Sequence, residues 1–596
     1  MLEHIRTATF GASHLGSRDI AVVVALLAAA CSSDSKSTRN GPDSGATEAG
    51  AGGAGGAGGA SAGAGGASAG AGGTDAGATD GGPRFDVTTK SGVVEGKLDG
   101  STRVFYGIPY AAPPTGANRF RPPQPVAAWS TTRDATQPGK VCPQITAGGT
   151  TVDARSDEDC LLLNVFTPDP PPSTPLPVMV WIHGGAFVFG SGGESYYDGA
   201  RLVEEGHVVV VSINYRLGAL GFLAHPALTA ESSDHPTSGN YGFEDQQAAL
   251  RWVKDNIAAF GGDPAQVTIW GESAGGYSVC AHLVAPDSAG LFQRAISESG
   301  LCSGHIGTTR DAQYANGEAL AAAVGCTDPT HVIECLRAKT PEDFLQVSSG
   351  APPLPGGLFF QGPRSAADGG AAVSTAFSPV TDGVIIPVDI AAVGSGFAKV
   401  PLLLGTNQNE GTLFTAPGLF GGTPVSDDAS YQAALERSFG ATVAANVLAQ
   451  YPSSAFATPN DALNEVATDA FFVCPARKLA RDASSAGADV YLYAFAHVPE
   501  KPLLPNLGVF HASELGYVFG TAAPLAPPQA DEEPLGATIR GYWTRFAHGS
   551  DPNGGGAPAW PKFTTAGDQD LKLDLPAPSA EVGHKKAKCD FWDSAL

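Results

Sequence analysis

The sequence predicts an α/β fold: one large domain on a mostly parallel sheet with helices on both faces. Two observations carry this expectation. Short apolar stretches of strand length (Pro177–Ile182, Val267–Ile269, Val400–Leu404 and Asp489–Phe495) recur along the chain, and a turn or loop with reactive side chains follows each. One of them, Val267–Ile269, runs straight into Trp270-Gly271-Glu272-Ser273-Ala274-Gly275-Gly276, which reads as strand, sharp turn and helix start. The 596 residues contain no internal repeat and no second apolar block set off by a linker, so a single large catalytic domain is the economical reading.

The chain begins differently. Ala21–Ala30 is an apolar run of signal-peptide length, too short to span a bilayer as a stable helix, and Cys31-Ser32-Ser33 follows at once. A short apolar core ending in small residues and then cysteine resembles the lipobox of bacterial lipoproteins. That resemblance implies that residues 1–31 are a signal peptide, with Cys31 lipidated as the new N-terminus and anchored in a membrane. An ordinary cleaved signal is the alternative, and either route leads out of the cytoplasm. Ser32 after that cysteine, where Asp would suggest inner-membrane retention, points to the outer membrane or cell surface.

Residues 32–83 are Gly, Ala, Ser, Thr and Asp with almost nothing to bury. Such a segment cannot offset its ordering entropy and reads as a disordered tether. Its root-mean-square reach is roughly 40 Å. The folded domain then occupies 84–596. Lys and Arg total 35 against 59 Asp and Glu, a formal charge of −24, which disfavours nucleic acid as a partner and says nothing of the reaction.

Chemistry enters at Ser273. The Gly-x-Ser-x-Gly pattern alone is weak in a chain with 77 glycines, and Ser61 and Ser68 match it inside the Gly/Ala tract. Only Ser273 follows a strand and opens a helix, the context that pushes a serine hydroxyl out above a sheet as a nucleophile. Upstream, the strand Pro177–Ile182 leads into His183-Gly184-Gly185-Ala186-Phe187. A small-residue loop there leaves backbone N–H groups able to face a developing oxyanion, with Gly185, Ala186 and Ala274 as donors. A serine nucleophile also needs a base, and the base an orienting acid, in the order Ser, acid, His. Glu410, in the loop Gly405–Gly411 after Val400–Leu404, is the candidate acid, although a loop glutamate is as readily a solvated side chain. His497 and His511 both follow Asp489–Phe495, and the residues alone leave the base open between them.

These segments, with Glu158–Val165, Phe105–Ala111, Asn214–Gly218, Gly239–Gly242 and Phe260–Pro264, closely resemble the type-B carboxylesterase family, which includes cholinesterases and some fungal lipases. The likeness runs from about Val87 to Trp592, with many separate motifs in the family's order. It implies the α/β-hydrolase fold and a serine carboxylesterase acting on small-molecule esters, with no metal or organic cofactor. The family's His-x-x-Glu-Leu-x-Tyr-Val-Phe-Gly stretch matches His511–Gly520, which makes His511 the base and leaves His497 at a non-catalytic position. It also implies that Glu272, Ser299 and Glu514 form a polar network around the histidine.

Setting Cys31 aside leaves eight cysteines, an even number, as a disulfide framework in an oxidising compartment requires, though they can pair in on the order of a hundred ways. The resemblance implies Cys142 with Cys160, Cys326 with Cys335, and Cys474 with Cys589. Cys280 and Cys302 remain, either as a fourth bridge or as two buried thiols.

Three rival functions are separable. A non-catalytic binding module on the same fold would not need Ser273, Glu410 and His511 together. A cholinesterase stacks choline on a tryptophan in the first disulfide loop, and Pro143–Asp159 contains no aromatic residue. A lipase for longer-chain lipids remains the alternative esterase, since Gly356–Gly369 and Leu413–Thr423, which would wall the acyl and alcohol sites, carry no readable pattern.

Overall fold

Alternation within each short strand decides the architecture. Val178, Val180 and Ile182 pack into one apolar cluster with Val209, Val211, Ile269, Leu402, Leu404 and Leu492. Their neighbours Met179 and Trp181 pack into another with Val210, Trp270, Ile296, Leu403, Tyr491 and Phe495. A strand whose odd and even residues are both apolar must be covered on both faces, which is the condition for a parallel sheet between helical layers. The computed structural model describes residues 84–146, 151–302, 308–349, 377–390, 397–416, 424–504, 506–524 and 526–595. Cys31, the signal-peptide run and the 32–83 tether lie outside these, as does Gly356–Gly369.

Thirteen strands form the main sheet: β1 (Arg84–Thr88), β2 (Val93–Asp99), β3 (Thr102–Pro109), β4 (Arg133–Asp134), β5 (Leu162–Pro168), β6 (Leu176–Ile182), β7 (Val209–Ile213), β8 (Gly262–Glu272), β9 (Arg294–Glu298), β10 (Leu402–Asn407), β11 (Val490–Phe495), β12 (Gln569–Leu573) and β13 (Ser579–Val582). The spatial order is β1-β2-β3-β5-β7-β6-β8-β9-β10-β11-β12-β13, with the short β4 beside β2. From β7 to β12 every neighbouring pair is parallel. Antiparallel strands flank this run on both sides.

Helices α1 (Ala200–Gly206) and α5 (Glu533–Gly549) cover the face carrying Trp181 and Trp270. Helices α2 (Tyr241–Asn256), α3 (Ala274–His282) and α4 (Cys474–Ser485) cover the other. A third cluster joins Phe414, Phe472, Cys474 and Phe510 to Cys589 and Trp592 on the last helix, α6 (Lys586–Ala595). Among the described residues no helix is long and apolar enough to cross a membrane.

Two strands differ from their sequence reading in extent. The strand before Ser273 spans Gly262–Glu272 rather than Val267–Ile269. The stretch read as Val400–Leu404 instead begins at Leu402 and continues through Gly405-Thr406-Asn407. Gly405 is drawn into the sheet because it lies between Glu298 of β9 and Tyr493 of β11. Its missing side chain makes room there, since a Cβ would stand 2.3 Å from the Tyr493 ring.

All eight described cysteines are paired: Cys142–Cys160, Cys280–Cys302, Cys326–Cys335 and Cys474–Cys589. The pair left open in the sequence, Cys280 and Cys302, is thus a bridge, joining α3 to the loop after β9.

Candidate active site

In a parallel sheet, the loops that leave the carboxyl ends of the strands gather on one edge, where they can build a site. Here β6 delivers His183–Phe187, β8 delivers Ser273, β9 delivers Ser299 and β10 delivers Glu410; His511 comes from the long loop after β11. Three adjacent strand ends meet at one level. Glu272 is paired with Glu298, and Glu298 with Gly405.

Ser273 occupies a backbone conformation that β-carbon-bearing residues rarely adopt, φ 56° and ψ −119°. Such strain is retained where the surroundings hold it. Ser273 N–H donates to the Glu298 carbonyl at 2.9 Å, and the Ser273 carbonyl accepts from Tyr277 N–H at 2.8 Å, fixing the turn between β8 and α3. The turn also requires a small residue two positions on. A Cβ on Gly275 would lie 1.9 Å from the Ile182 carbonyl oxygen, so only glycine lets the first turn of α3 pass this close to β6.

The loop after β6 is shaped by three successive residues with positive φ: Gly185 (104°), Ala186 (53°) and Phe187 (62°). Phe187 anchors it, buried 5.2 Å from Phe222 and 5.8 Å from Tyr277, while its carbonyl accepts from Gly218 N–H at 2.7 Å. Among the described residues, the N–H groups of Gly185 and Ala186 donate to no backbone carbonyl, and Ala274 is the first residue of a helix, where N–H groups lack intrahelical acceptors. His183 opens the same loop. It stacks on Tyr215 at 4.4 Å, and burial pushes its pKa down to about 4, so its ring is neutral.

Glu410 and His511 are paired, with Nδ1 at 2.6 Å from Oε2, and both are buried. The second Glu410 oxygen accepts from Ser299 Oγ–H at 2.5 Å and from Asn407 N–H at 2.7 Å. Both carboxylate oxygens are therefore satisfied, as a buried anion requires. A carboxylate on Nδ1 leaves the imidazole proton on that nitrogen and a lone pair on Nε2, the form a general base needs. Nε2 lies 3.0 Å from Glu272 Oε1, but the angle makes no hydrogen bond and both atoms lack one. No hydrogen bond joins Nε2 to Ser273 Oγ either. Catalytic hydrogen bonds are often long before substrate binds.

Ser299 and Glu514 are reached through named partners. Ser299 holds Glu410 directly, while Asn407 Nδ2–H donates both to Glu514 Oε2 and, at 2.9 Å, to the Phe510 carbonyl, tying the β10 loop to the His511 loop. Four site residues escaped the sequence reading. Asn407 is one. Glu298 is another, fully buried beside Ser299, with Oε1 accepting from Trp543 Nε1–H at 2.7 Å. Its place at the carboxyl end of a strand, one residue before Ser299, was the available signal. The other two are Phe414 and Phe472, whose rings lie 5.0 and 4.9 Å from His511. Phe414 belongs to Leu413–Thr423, of which residues 413–416 are described.

Four buried carboxyls thus share one corner of the site. Burial and the charges of Glu410 and Glu298 raise Glu272 well above the carboxylate range, and burial with Glu514 nearby does the same to Glu298. Burial, with Glu272 and Glu410 close, pushes Glu514 up to about 8. An unfolded glutamate titrates near about 4.3, so between the two values the unfolded chain releases a proton that the folded protein keeps. Stability therefore falls as pH rises through that window. Glu514→Gln removes the titration and keeps an acceptor for Asn407, so it should gain stability relative to the parent as pH rises from about 5 to about 8. Thermal unfolding at the two pH values measures this, and an unchanged difference would count against it.

His497 lies elsewhere. Its Nδ1 is 3.2 Å from Asp574 Oδ1, and its Nε2 is 3.2 Å from Glu532 Oε1, while Glu532 in turn accepts from Tyr517.

With this geometry described, known proteins offer a comparison. The model of the carboxylesterase family matches residues 84–592. The chain is 38% identical over 498 residues to the para-nitrobenzyl esterase of Bacillus subtilis (strain 168), covering 82% of this chain and 94% of that protein. Two solved structures, a PNB esterase and a thermophilic PNB esterase, each superpose with a TM-score of 0.72 at 36% identity, covering 85% of this chain and 99% of theirs.

Proposed function

The chain belongs to the carboxylesterase family and is a serine carboxylesterase; on that premise we propose that Ser273, His511 and Glu410 are its nucleophile, base and orienting acid. The observation that carries the assignment is the His511–Glu410 pair, placed at the same sheet edge as the strained Ser273 turn. His511 Nε2 takes the Ser273 proton as Oγ attacks the ester carbonyl. The N–H groups of Gly185, Ala186 and Ala274 hold the oxyanion of the tetrahedral intermediate. The intermediate collapses as His511 returns the proton to the leaving alkoxide, giving the free alcohol and an acyl-enzyme. Water, deprotonated by His511, then attacks the acyl group and releases the acid. Glu410 orients the imidazole and stabilises its cation, while Ser299 and Asn407 hold Glu410.

The relatives are named for para-nitrobenzyl esters, and Phe414 and Phe472 beside His511 give this chain an aromatic wall of its own. The favoured substrates are accordingly neutral esters with an aromatic or apolar group. A panel of nitrophenyl esters of rising acyl length, one para-nitrobenzyl ester, one choline ester and one triglyceride tests this. Neutral esters should be turned over with no advantage for choline at equal acyl length. A strong choline preference would overturn the reading, and a preference for the triglyceride would favour the lipase alternative.

Export with a lipid on Cys31 completes the proposal. It rests on the residues before 84, and the oxidised cysteines of the folded domain support it. Mass spectrometry of the mature N-terminal peptide would find a lipid-modified Cys31, whereas an unmodified or absent Cys31 would end the anchor hypothesis.

A further inference from the structure

The C-terminal hairpin carries ligand-bearing side chains that ester hydrolysis does not use. Asp570 of β12 and Glu581 of β13 are directly opposite each other in antiparallel register, so both project to one face. Like charges so placed are destabilising unless something lies between them. His584, just beyond β13, brings a ring nitrogen over the same face. One ligand atom from each of Asp570, Glu581 and His584 lies within 4.8 Å of the other two.

A second observation is independent of that clustering. The Asp570 residue is only 1% exposed, and its Oδ1 has no hydrogen-bond partner. Buried carboxylate oxygens are normally satisfied, and one that is not asks for a counter-charge or a ligand. Of the neighbouring cations, none donates a hydrogen bond to Asp570, although Arg477 Nε and Nη1 are themselves buried without a partner. Arg477 and Lys572 act on this group of carboxylates electrostatically, but their hydrogen bonds go to Asp568 and Asp574, not to Asp570 or Glu581. Lys585 is paired with Glu465 and Asp469.

We propose that Asp570, Glu581 and His584 bind a divalent transition-metal ion, with Zn2+ the best fit. Two carboxylates and one imidazole make a mixed oxygen–nitrogen set that suits zinc at tetrahedral coordination, with water as fourth ligand. Calcium takes six to eight oxygen ligands and is poorly served by three groups, one of them nitrogen. The ion sits at the outer edge of the sheet, separated from Ser273 by the intervening strands, and its work is structural. It ties the last strand pair to the start of α6, the helix that Cys474–Cys589 holds to α4.

The test uses the full chain stripped of metal by chelation. Added Zn2+ should bind at one equivalent, read by elemental mass spectrometry, and raise the unfolding temperature by about 2–3 °C at a hundredfold excess over the dissociation constant. Asp570→Asn and His584→Gln should each lose both the bound equivalent and the shift, with hydrolysis of a nitrophenyl ester unchanged. His584 is part-exposed, so its variant keeps the test open if Asp570→Asn fails to fold. Binding of Mn2+ in place of Zn2+, lost in the same variants, would still support the site. The proposal is overturned if neither Zn2+ nor Mn2+ binds to the parent, if only Ca2+ does, or if binding survives in His584→Gln. No binding is the result expected if Arg477 alone supplies the counter-charge.

Discussion

Ser273→Ala is expected to lower ester hydrolysis by roughly four orders of magnitude or more and to eliminate covalent labelling by a fluorophosphonate. The size follows from the mechanism. Without Oγ there is no acyl-enzyme, and only the oxyanion donors and binding remain to favour water attack. The substitution should cost little stability. Ser273 is part-exposed, and alanine tolerates the φ of 56° about as well as serine does. Unfolding temperature and kcat/KM therefore separate a catalytic loss from a folding loss. Ser61→Ala and Ser68→Ala, which share the Gly-x-Ser-x-Gly pattern, should change neither. Retained labelling in Ser273→Ala would remove the nucleophile assignment.

His511→Ala should lose about as much kcat as Ser273→Ala, since members of one proton-relay unit are not additive. His497→Ala is the informative control. Both histidines are buried, and both lie near two carboxylates. If burial and acidic partners alone made a base, the two variants would be equally dead. Only His511 stands beside Ser273's neighbour Glu272, so His497→Ala should keep most of its kcat while losing thermal stability, from the contact to Asp574. The reverse result would mean that the base was misassigned.

The parts of this site legible in the sequence are those whose chemistry is local. A strand, a serine and two small residues lie within a few positions of one another, and the same steric demand that Gly275 meets against Ile182 puts glycine there in the sequence. The loop proposed to hold the oxyanion is readable for the same reason. Glu410 and His511 are not, because what distinguishes them from other loop residues is each other, across a separation of 101 residues. Residue type could not separate His511 from His497, and only the family likeness did. Asn407 and Glu298 were missed on related grounds. Asn407 looked like a loop residue because the strand was read as ending at Leu404, and its partner Phe510 is 103 residues away. Glu298 is a charged residue ending a strand, ordinarily a sign of solvent; its burial under Trp543 depends on a helix 245 residues further on. The sheet was legible where strands are uniformly apolar, and their extents were least so where glycine and polar residues continue the ladder.

The proposed reacting groups lie in the chain order Ser273, Glu410, His511, each delivered by a later strand of one sheet. A ribosome making this protein therefore releases the nucleophile long before the base exists. A chain arrested anywhere before residue 511 carries a serine with nothing to deprotonate it. Even after residue 511 has emerged, β11 remains an open edge until β12 pairs with it and β13 closes the hairpin near the C-terminus. On this assignment the nascent protein is chemically silent towards esters around it until residue 511 and the β12–β13 hairpin have emerged.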